Sequence, residues 1–505
     1  MERPQSRLDS DSIVLQQLRQ ILKESGYCRA ETAPALNEVA MKRPDESAPS
    51  TQLNTLLRLF HLLKPVEMEN ANKALHPLTI EELADAGFIR RDGENVRANL
   101  SIQSYQDFLF AIDQLENEPE RALMKISASS LLVSHLMVRR PSRTSLDLGT
   151  GCGFLAALLA EHSEHVYAVD LNPTAVQFAD FNCRWNGLRN VTCLEGNATA
   201  PVRDKRFDLI VCNPPFMICP VPNELSSQIR FKYSGQEGDE FCIHLARKAC
   251  QLLNEDGNLH MIFECIEPND EDWKRRLTTA FSGTDCDVWV MRLYSRPSEM
   301  YLSEWLTEVK ESGWLADRRE AQEVDTEALR REAVRCFEQW KVRSIGGGLL
   351  TMRRCSRRPN YLWFDEAPED QSEPYGESVS TLFDIRIYVS SADDAALLEE
   401  KLMASPDIGV LQKAELETGR WQVTESEFEL GRGLKYSFSG VSPQLLQLVT
   451  LMDGNRTLRQ IFEAQSPREH RASPEIIAKH LREIRELLWF GFLIPMSVTK
   501  PPELN

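Results

Sequence analysis

The chain has 505 residues, 42% of them hydrophobic and 27% charged, which excludes a disordered polypeptide and is enough for two to four domains. Its apolar runs, such as Leu131 to Val138, fall far short of the ~20 residues that cross a bilayer. The polar stretch Met1 to Ser12 lacks a secretory core, so a soluble, cytoplasmic protein without membrane contact is expected. The formal net charge of −18 repels a phosphate backbone and confines nucleic acid to a local basic patch. Arg353, Arg354, Arg357 and Arg358 form such a patch or a solvated strand end. The twelve cysteines contain no CxxC pair, and the nine histidines do not join them at zinc spacing. Reduced thiols and no metal site follow.

In chain order, Ile13 to Leu22 reads as a helix, and the leucines of Thr51 to Leu63 recur at helical intervals. Thr79 and Glu82 form a capping box for a short helix ending at Gly87. Phe88 to Arg90 and Val96 to Leu100 flank the hairpin signal Asp92-Gly93. These elements predict a winged-helix-like module over residues 1–105. A doubly wound α/β sheet follows in residues 106–363. Its strands are Thr144 to Leu148, Val166 to Asp170, Val191 to Leu194, Phe207 to Cys212, Leu259 to Phe263, Val288 to Leu293 and Leu349 to Met352. A helix over Asp325 to Val342 and the run Gly346-Gly347-Gly348 precede the last strand. Residues 364–380, rich in acid, Pro, Ser and Gly, read as a linker. Residues 381–505 then form an α+β domain with a second winged-helix-like half. In it Leu382 to Val389 is a strand, and Ala395 to Met403 is a helix. Further helices start at Ser442-Pro443, at the Thr457/Gln460 capping box and at Glu475.

The first strand of the sheet opens through Asp147, Gly149, Thr150, Gly151 and Gly153 into the helical run Phe154 to Glu161. Ligands bind at such strand ends, where glycines admit them close to the backbone. A dinucleotide fingerprint needs a glycine at Phe154, and Asp147 would repel a pyrophosphate. Asp147 instead suits a ligand carrying an amino cation and a sulfonium. Asp170, 21 residues after Gly149 at the end of the second strand, can accept both ribose hydroxyls. The combination points to S-adenosylmethionine. Asn197, after the third strand, either bonds adenine or caps a turn.

Asn213-Pro214-Pro215-Phe216 follows the fourth strand. Prolines remove donors and fix the backbone. The Asn213 side-chain oxygen and the Pro214 carbonyl can then receive the two N–H bonds of a planar NH2 group, with Phe216 stacked on its face. Holding both hydrogens aims the nitrogen lone pair and stabilises the positive charge that develops on it. An ordinary loop is the alternative. In the loop from Tyr233 to Glu240, Tyr233 and Asp239 are candidate substrate contacts, with Asp239 alternatively the N-cap of the next helix.

Asp147 to Gly153, Asp170 and Asn213 to Phe216 resemble the HemK/PrmC-like small methyltransferases of class I. That resemblance implies a seven-stranded Rossmann-like sheet and an S-adenosylmethionine-dependent N-methyltransferase. It implies that Asp147 and the glycines hold the methionine part, Asp170 the ribose, Asn197 the adenine and Asn213 the target nitrogen, although Asn197 departs from the commoner Asp. The expected acceptor is a macromolecule, first a protein glutamine amide. An exocyclic base nitrogen of RNA or DNA is the alternative, as is a non-catalytic regulator that senses the cofactor. The nucleic-acid reading requires the arginine patch to line a path to Asn213. Residues 436 to 495 faintly resemble PqqD-like peptide-recognition winged helices.

Overall fold

The computed structural model describes residues 10–30, 51–113, 125–221, 238–269, 271–311, 326–356, 360–465 and 474–498. They fall into two compact units, Met1–Ser134 with Arg139–Ala367 and His135–Val138 with Pro368–Asn505. No helix among the described residues is long and apolar enough to cross a membrane.

The first unit begins with α1 (Ile13–Glu24), α2 (Gln52–Leu56, continued by one π turn), β1 (Val66–Glu67), α3 (Met68–Leu75) and α4 (Ile80–Asp85). The predicted capping box starts α4: the Thr79 hydroxyl receives the Glu82 N–H, and Glu82 receives the Thr79 N–H. The predicted hairpin forms from β2 (Ile89–Asp92) and β3 (Asn95–Ala98), in a sheet of order β1-β3-β2. A second hairpin, β4 (Leu100–Tyr105) with β5 (Phe108–Asp113), straddles the predicted boundary at residue 105.

After α5 (Ala128–Leu136) come β6 (Ser142–Leu148), α6 (Phe154–Ala160), β7 (Ser163–Asp170), α7 (Pro173–Trp185), β8 (Val191–Glu195) and β9 (Phe207–Cys212). Then follow α8 (Glu240–Cys250), β10 (Leu253–Pro268), α9 (Trp273–Phe281), β11 (Cys286–Pro297), α10 (Ser298–Glu311), α11 (Thr326–Gln339), β12 (Val342–Arg354) and β13 (Leu362–Glu366). The sheet order is β13-β11-β12-β10-β9-β6-β7-β8. Its pairs are parallel except where β12 inserts antiparallel to β10 and β11. The seven predicted strands are joined by an eighth, β13, at the edge. Phe364 to Glu366 therefore belong to a strand rather than to a linker. Gly346 to Gly348 lie inside β12, not ahead of it.

Two asparagines on α7 fasten the β4–β5 hairpin. Asn182 receives the Ala111 N–H and donates to the Ala111 carbonyl (2.9 and 3.0 Å). Asn186 treats Leu109 the same way (3.0 and 2.7 Å). Spaced one helical turn apart, they satisfy the edge of β5 as a neighbouring strand would. Phe154, where a dinucleotide loop would carry glycine, packs edge-on against Tyr105 and Phe110 of the same hairpin.

The second unit holds α12 (Gly376–Ser391), α13 (Asp394–Glu399), β14 (Lys401–Ala404), β15 (Ile408–Glu417), β16 (Arg420–Leu430), β17 (Ser437–Ser439), α14 (Pro443–Thr450), β18 (Asp453–Thr457), α15 (Leu458–Gln465), α16 (Pro474–Trp489) and β19 (Leu493–Pro495). The predicted strand Leu382 to Val389 is the middle of α12. Val379, Leu382, Phe383 and Arg386 are buried at helical spacing, and the Arg386 guanidinium lies 4.5 Å from the Trp489 ring centre. The predicted helix over Ala395 to Met403 stops at Glu399, and the rest is strand.

Candidate functional site

Val169, Leu148 and Cys212 are paired side by side across β7, β6 and β9. The next residues, Asp170, Gly149 and Asn213, therefore stand in a row on the carboxyl edge of the sheet, with neighbouring strands about 4.8 Å apart. The Gly149 and Thr150 amides both donate to the Val169 carbonyl (2.8 and 3.1 Å), which turns the chain sharply after β6. Gly149, Gly151 and Gly153 all have positive φ. At Gly153 a Cβ would also stand 2.9 Å from Cα of Ala179, so glycine is required there twice over.

Asp147 is fully buried. Its Oδ2 receives the Thr150 hydroxyl (2.7 Å) and the Ala156 N–H (3.0 Å), tying the loop to α6. Oδ1 is buried with no hydrogen-bond partner among the described residues. Burial raises the carboxyl pKa to about 7 against the pull of those two donors. Asp170 receives the Gly151 N–H on Oδ2 and the Asn172 N–H on Oδ1, both at 2.9 Å. Burial raises its pKa as well. Gly196, after β8, donates to the Asp170 carbonyl (2.9 Å). Asn197 is exposed there, its carbonyl receiving the Ala200 N–H (3.0 Å).

Asn213 is 6% exposed. Its amide nitrogen donates to the hydroxyls of Ser129 (3.1 Å) and Ser130 (3.0 Å) in the first turn of α5. Ser127 Oγ lies 2.8 and 3.1 Å from those two hydroxyls. Both amide protons are thereby used, while Asn213 Oδ1 is buried and has no partner among the described residues. Pro214 is buried, and Phe216 is half-buried against the main core.

The segment beyond Phe216 is anchored by a group the sequence reading missed. Glu264, buried on β10, receives the Ile218 N–H (2.9 Å) and the hydroxyls of Tyr301 (2.7 Å) and Tyr294 (2.8 Å). A single acid within the apolar run Leu259 to Ile266 is the signal that marks it. The glycines of β12 make room for this network: a Cβ on Gly347 would overlap the Tyr294 ring, and one on Gly346 would stand 2.7 Å from Glu267 Oε1.

Three further predicted features remain. Asp239 occupies the N-cap position of α8 without a side-chain cap bond. It forms a bidentate pair with Arg276 (2.5 and 2.6 Å) and receives the Ile266 N–H. Tyr233, Arg357 and Arg358 lie outside the described residues. Arg353 is paired with Asn258, which is paired with Leu209. That is three residues, about 10 Å, back from Cys212. Arg353 binds Asn258 (3.1 Å), and Arg354 binds the Cys250 carbonyl (3.3 Å) and Asp285 (3.6 Å). These two arginines stand at the opposite edge of the sheet and line no path to Asn213.

Residues 126–224, which carry α5, the glycine loop and the Asn213 turn, match the family described as the methyltransferase small domain. They form a methyltransferase small domain. The domain is that of class I, HemK/PrmC-like methyltransferases that use S-adenosylmethionine. Residues 24–99 match a domain of unknown function, DUF7059. A release factor glutamine methyltransferase of Geobacter sulfurreducens is 32% identical over 139 residues, 26% of this chain and 48% of that protein. Its counterpart in Rhodopirellula baltica is 30% identical over 193 residues, 35% and 65% of the two chains. A tRNA1(Val) (adenine(37)-N6)-methyltransferase of Cytophaga hutchinsonii is 36% identical over 112 residues, 21% and 47% of the two. The similarity thus spans about half to two thirds of these relatives.

The small domain's residues fit the cofactor that its family uses. Among the described residues Asp147 Oδ1 is a buried carboxyl oxygen with no hydrogen-bond partner, and the glycines of the turn beside Asp170 have positive φ.

Proposed function

We propose that the chain is an S-adenosylmethionine-dependent methyltransferase acting on a planar NH2 nitrogen of a macromolecule, foremost the side-chain amide of a protein glutamine. The observation that carries the reading is Asn213 Oδ1, a buried acceptor with no partner among the described residues. A buried, unsatisfied carbonyl costs about 1–3 kcal/mol, and an incoming N–H would recover it.

Ser129 and Ser130 orient the amide by taking its protons, so the oxygen faces the incoming group. The Pro214 carbonyl would receive the second N–H, and Phe216 would cover the planar face. With both hydrogens held, the nitrogen lone pair projects from the plane. When bound, the cofactor would supply a methyl group on a sulfonium, whose S–C bond would break as the new N–C bond forms. The proton then leaves from a cationic nitrogen to water, so no strong base is required. Asp147 and the loop from Gly149 to Gly153 would hold the methionine part, Asp170 the ribose and Asn197 the adenine edge.

Protein is favoured over nucleic acid by the net charge of −18 and by the position of Arg353 and Arg354 away from the site. The relatives named above act on each class by their names. Transfer of labelled methyl in a cell extract, followed by protease or nuclease digestion, separates the outcomes. Label released by protease and recovered as N-methylglutamine supports the reading. Label released by nuclease assigns a base amine instead. Absence of any transfer beside normal cofactor binding assigns a sensor.

A further inference from the structure

The second unit carries a two-faced β-hairpin whose apolar side is left bare. Strands β15 and β16 pair from Ile408↔Leu430 at the base to Glu417↔Arg420 at the tip, with a bulge beside Lys413 and Ala414. Paired residues share a face, and successive pairs alternate. One face therefore carries Ile408, Leu430, Val410, Phe428, Ala414, Val423, Leu416 and Trp421 about the Gln412–Ser426 pair, which is hydrogen-bonded at 3.2 Å. At the base Phe428 is buried against Phe492. Towards the tip the same stripe lies open: Val423 is 55% exposed, Leu416 62% and Trp421 73%. The opposite face presents Glu415, Glu417, Glu425, Glu427 and Glu429 against the two cations Lys413 and Arg420, with Leu411 as its one large apolar residue.

We propose that this hairpin docks a protein segment that is extended and alternates basic with apolar residues, added as a strand to the edge of β15. Three observations select that occupant. Among the described residues β15 pairs with β16 alone, so its outer edge offers a row of backbone donors and acceptors. A strand laid on that edge sends alternate side chains to the two faces. On one they extend the stripe of Ala414, Leu416, Val423 and Trp421, and on the other they meet the glutamates. The bare stripe amounts to roughly 400 Å2, the scale of a functional patch and about half of what each partner of a stable complex buries. A transient protein client fits that area better than a permanent pairing of two copies. The acidic face excludes a phosphate backbone. The docking requires neither the cofactor nor Asn213, so it stands or falls apart from the methyl-transfer reading.

The test measures binding of two fluorescein-labelled ten-residue peptides to the full chain by anisotropy, one alternating lysine with valine and one alternating glutamate with valine. The lysine peptide binds, and binding weakens as salt rises. The double substitution Leu416→Ser with Trp421→Ser weakens it about thirtyfold, the scale of losing an interface anchor. The double substitution Glu415→Lys with Glu417→Lys reverses the preference between the peptides. All four side chains are exposed, so melting temperatures report whether a variant is folded, and the charge reversal tests the face independently of the apolar change. Equal binding of both peptides, or unaltered binding by either variant, overturns the proposal. So does self-association in sedimentation velocity that Leu416→Ser with Trp421→Ser abolishes, since the face would then belong to a second copy.

Discussion

Asp147 offers a direct measurement of what the glycine loop is built to hold. Its carboxyl has one oxygen saturated by Thr150 and Ala156 and one with no partner. Its pKa stands at about 7 rather than 3.8 because burial disfavours the anion. Below pH 3.8 both the folded and the unfolded chain carry the proton, and the site costs nothing. As pH rises from there to about 7 the unfolded chain releases the proton while the folded one keeps it. Folded stability is therefore lost across that window, by about 4 kcal/mol in total. An amino cation beside Oδ1 would reverse this, because the ionised form then gains a partner. Cofactor affinity should accordingly rise about tenfold per pH unit between pH 5 and 7 and level off above. Asp147→Asn keeps an acceptor for Thr150 and Ala156 but cannot ionise. It should be more stable than the native protein at pH 8 without ligand, equal to it near pH 4, and weak in cofactor binding. Most of the pH slope should vanish, with a residue from Asp170, whose pKa is also raised. Calorimetric titration with S-adenosylhomocysteine, which cannot react, and thermal melts from pH 4 to 8 provide both readouts. Native affinity that stays flat between pH 5 and 7, or an Asn variant that follows the same curve, would refute the assignment of Asp147 to the cation.

Replacing Ser129 and Ser130 together with alanine frees the Asn213 amide to rotate. Single-turnover methyl transfer should fall about tenfold or more, with cofactor affinity unchanged by calorimetry. Glu264→Gln retains the shape of the anchor but weakens its hold on the Ile218 N–H, Tyr294 and Tyr301. Its kcat should fall more than its KM rises, and Glu264→Asp should recover less than Gln because it cannot reach all three. Gly347→Ala drives a Cβ into the Tyr294 ring. A loss of about 1–3 kcal/mol in stability is expected, read by urea denaturation, together with lowered turnover as Tyr294 leaves Glu264.

Much of the fold was legible because its signals are local. The strand–glycine–helix turn after Asp147, the capping boxes at Thr79/Glu82 and Thr457/Gln460 and the Asp92-Gly93 hairpin each depend on neighbours a few residues away. Leu382 to Val389 misled for a related reason: the run alternates apolar with polar residues like a half-buried strand. Only the partners of α12 reveal a helical stripe, with Arg386 lying flat on Trp489 from α16. The glycines of β12 read as lying ahead of the last strand because space for Tyr294 and Glu267 is a property of three paired strands, not of the sequence at 346–348. Ser129 and Ser130 were invisible in the same way. They stand 84 and 83 residues from the asparagine they hold, and no spacing rule joins them.

That distant hold decides what Asn213 can be exchanged for. An amide places donors on one side and an acceptor on the other, and here the donor side is consumed by two hydroxyls. Hydroxyls also donate. In Asn213→Asp, Ser129 and Ser130 can turn their protons towards one carboxylate oxygen while the other still faces the substrate as an acceptor. The charge adds a desolvation cost, and it also strengthens the hydrogen bond to an N–H that becomes acidic after transfer. Asn213→Asp should therefore retain activity within about tenfold of native, whereas Asn213→Leu, similar in size and without an acceptor, should lose about 10²–10³ in single-turnover rate. Cofactor affinity should be normal in both, since neither change touches Asp147 or Asp170. Should the aspartate variant prove as inactive as leucine, acceptance of an N–H would not be the task of residue 213. The unpartnered oxygen would then be a cost of the fold, left for some other reason.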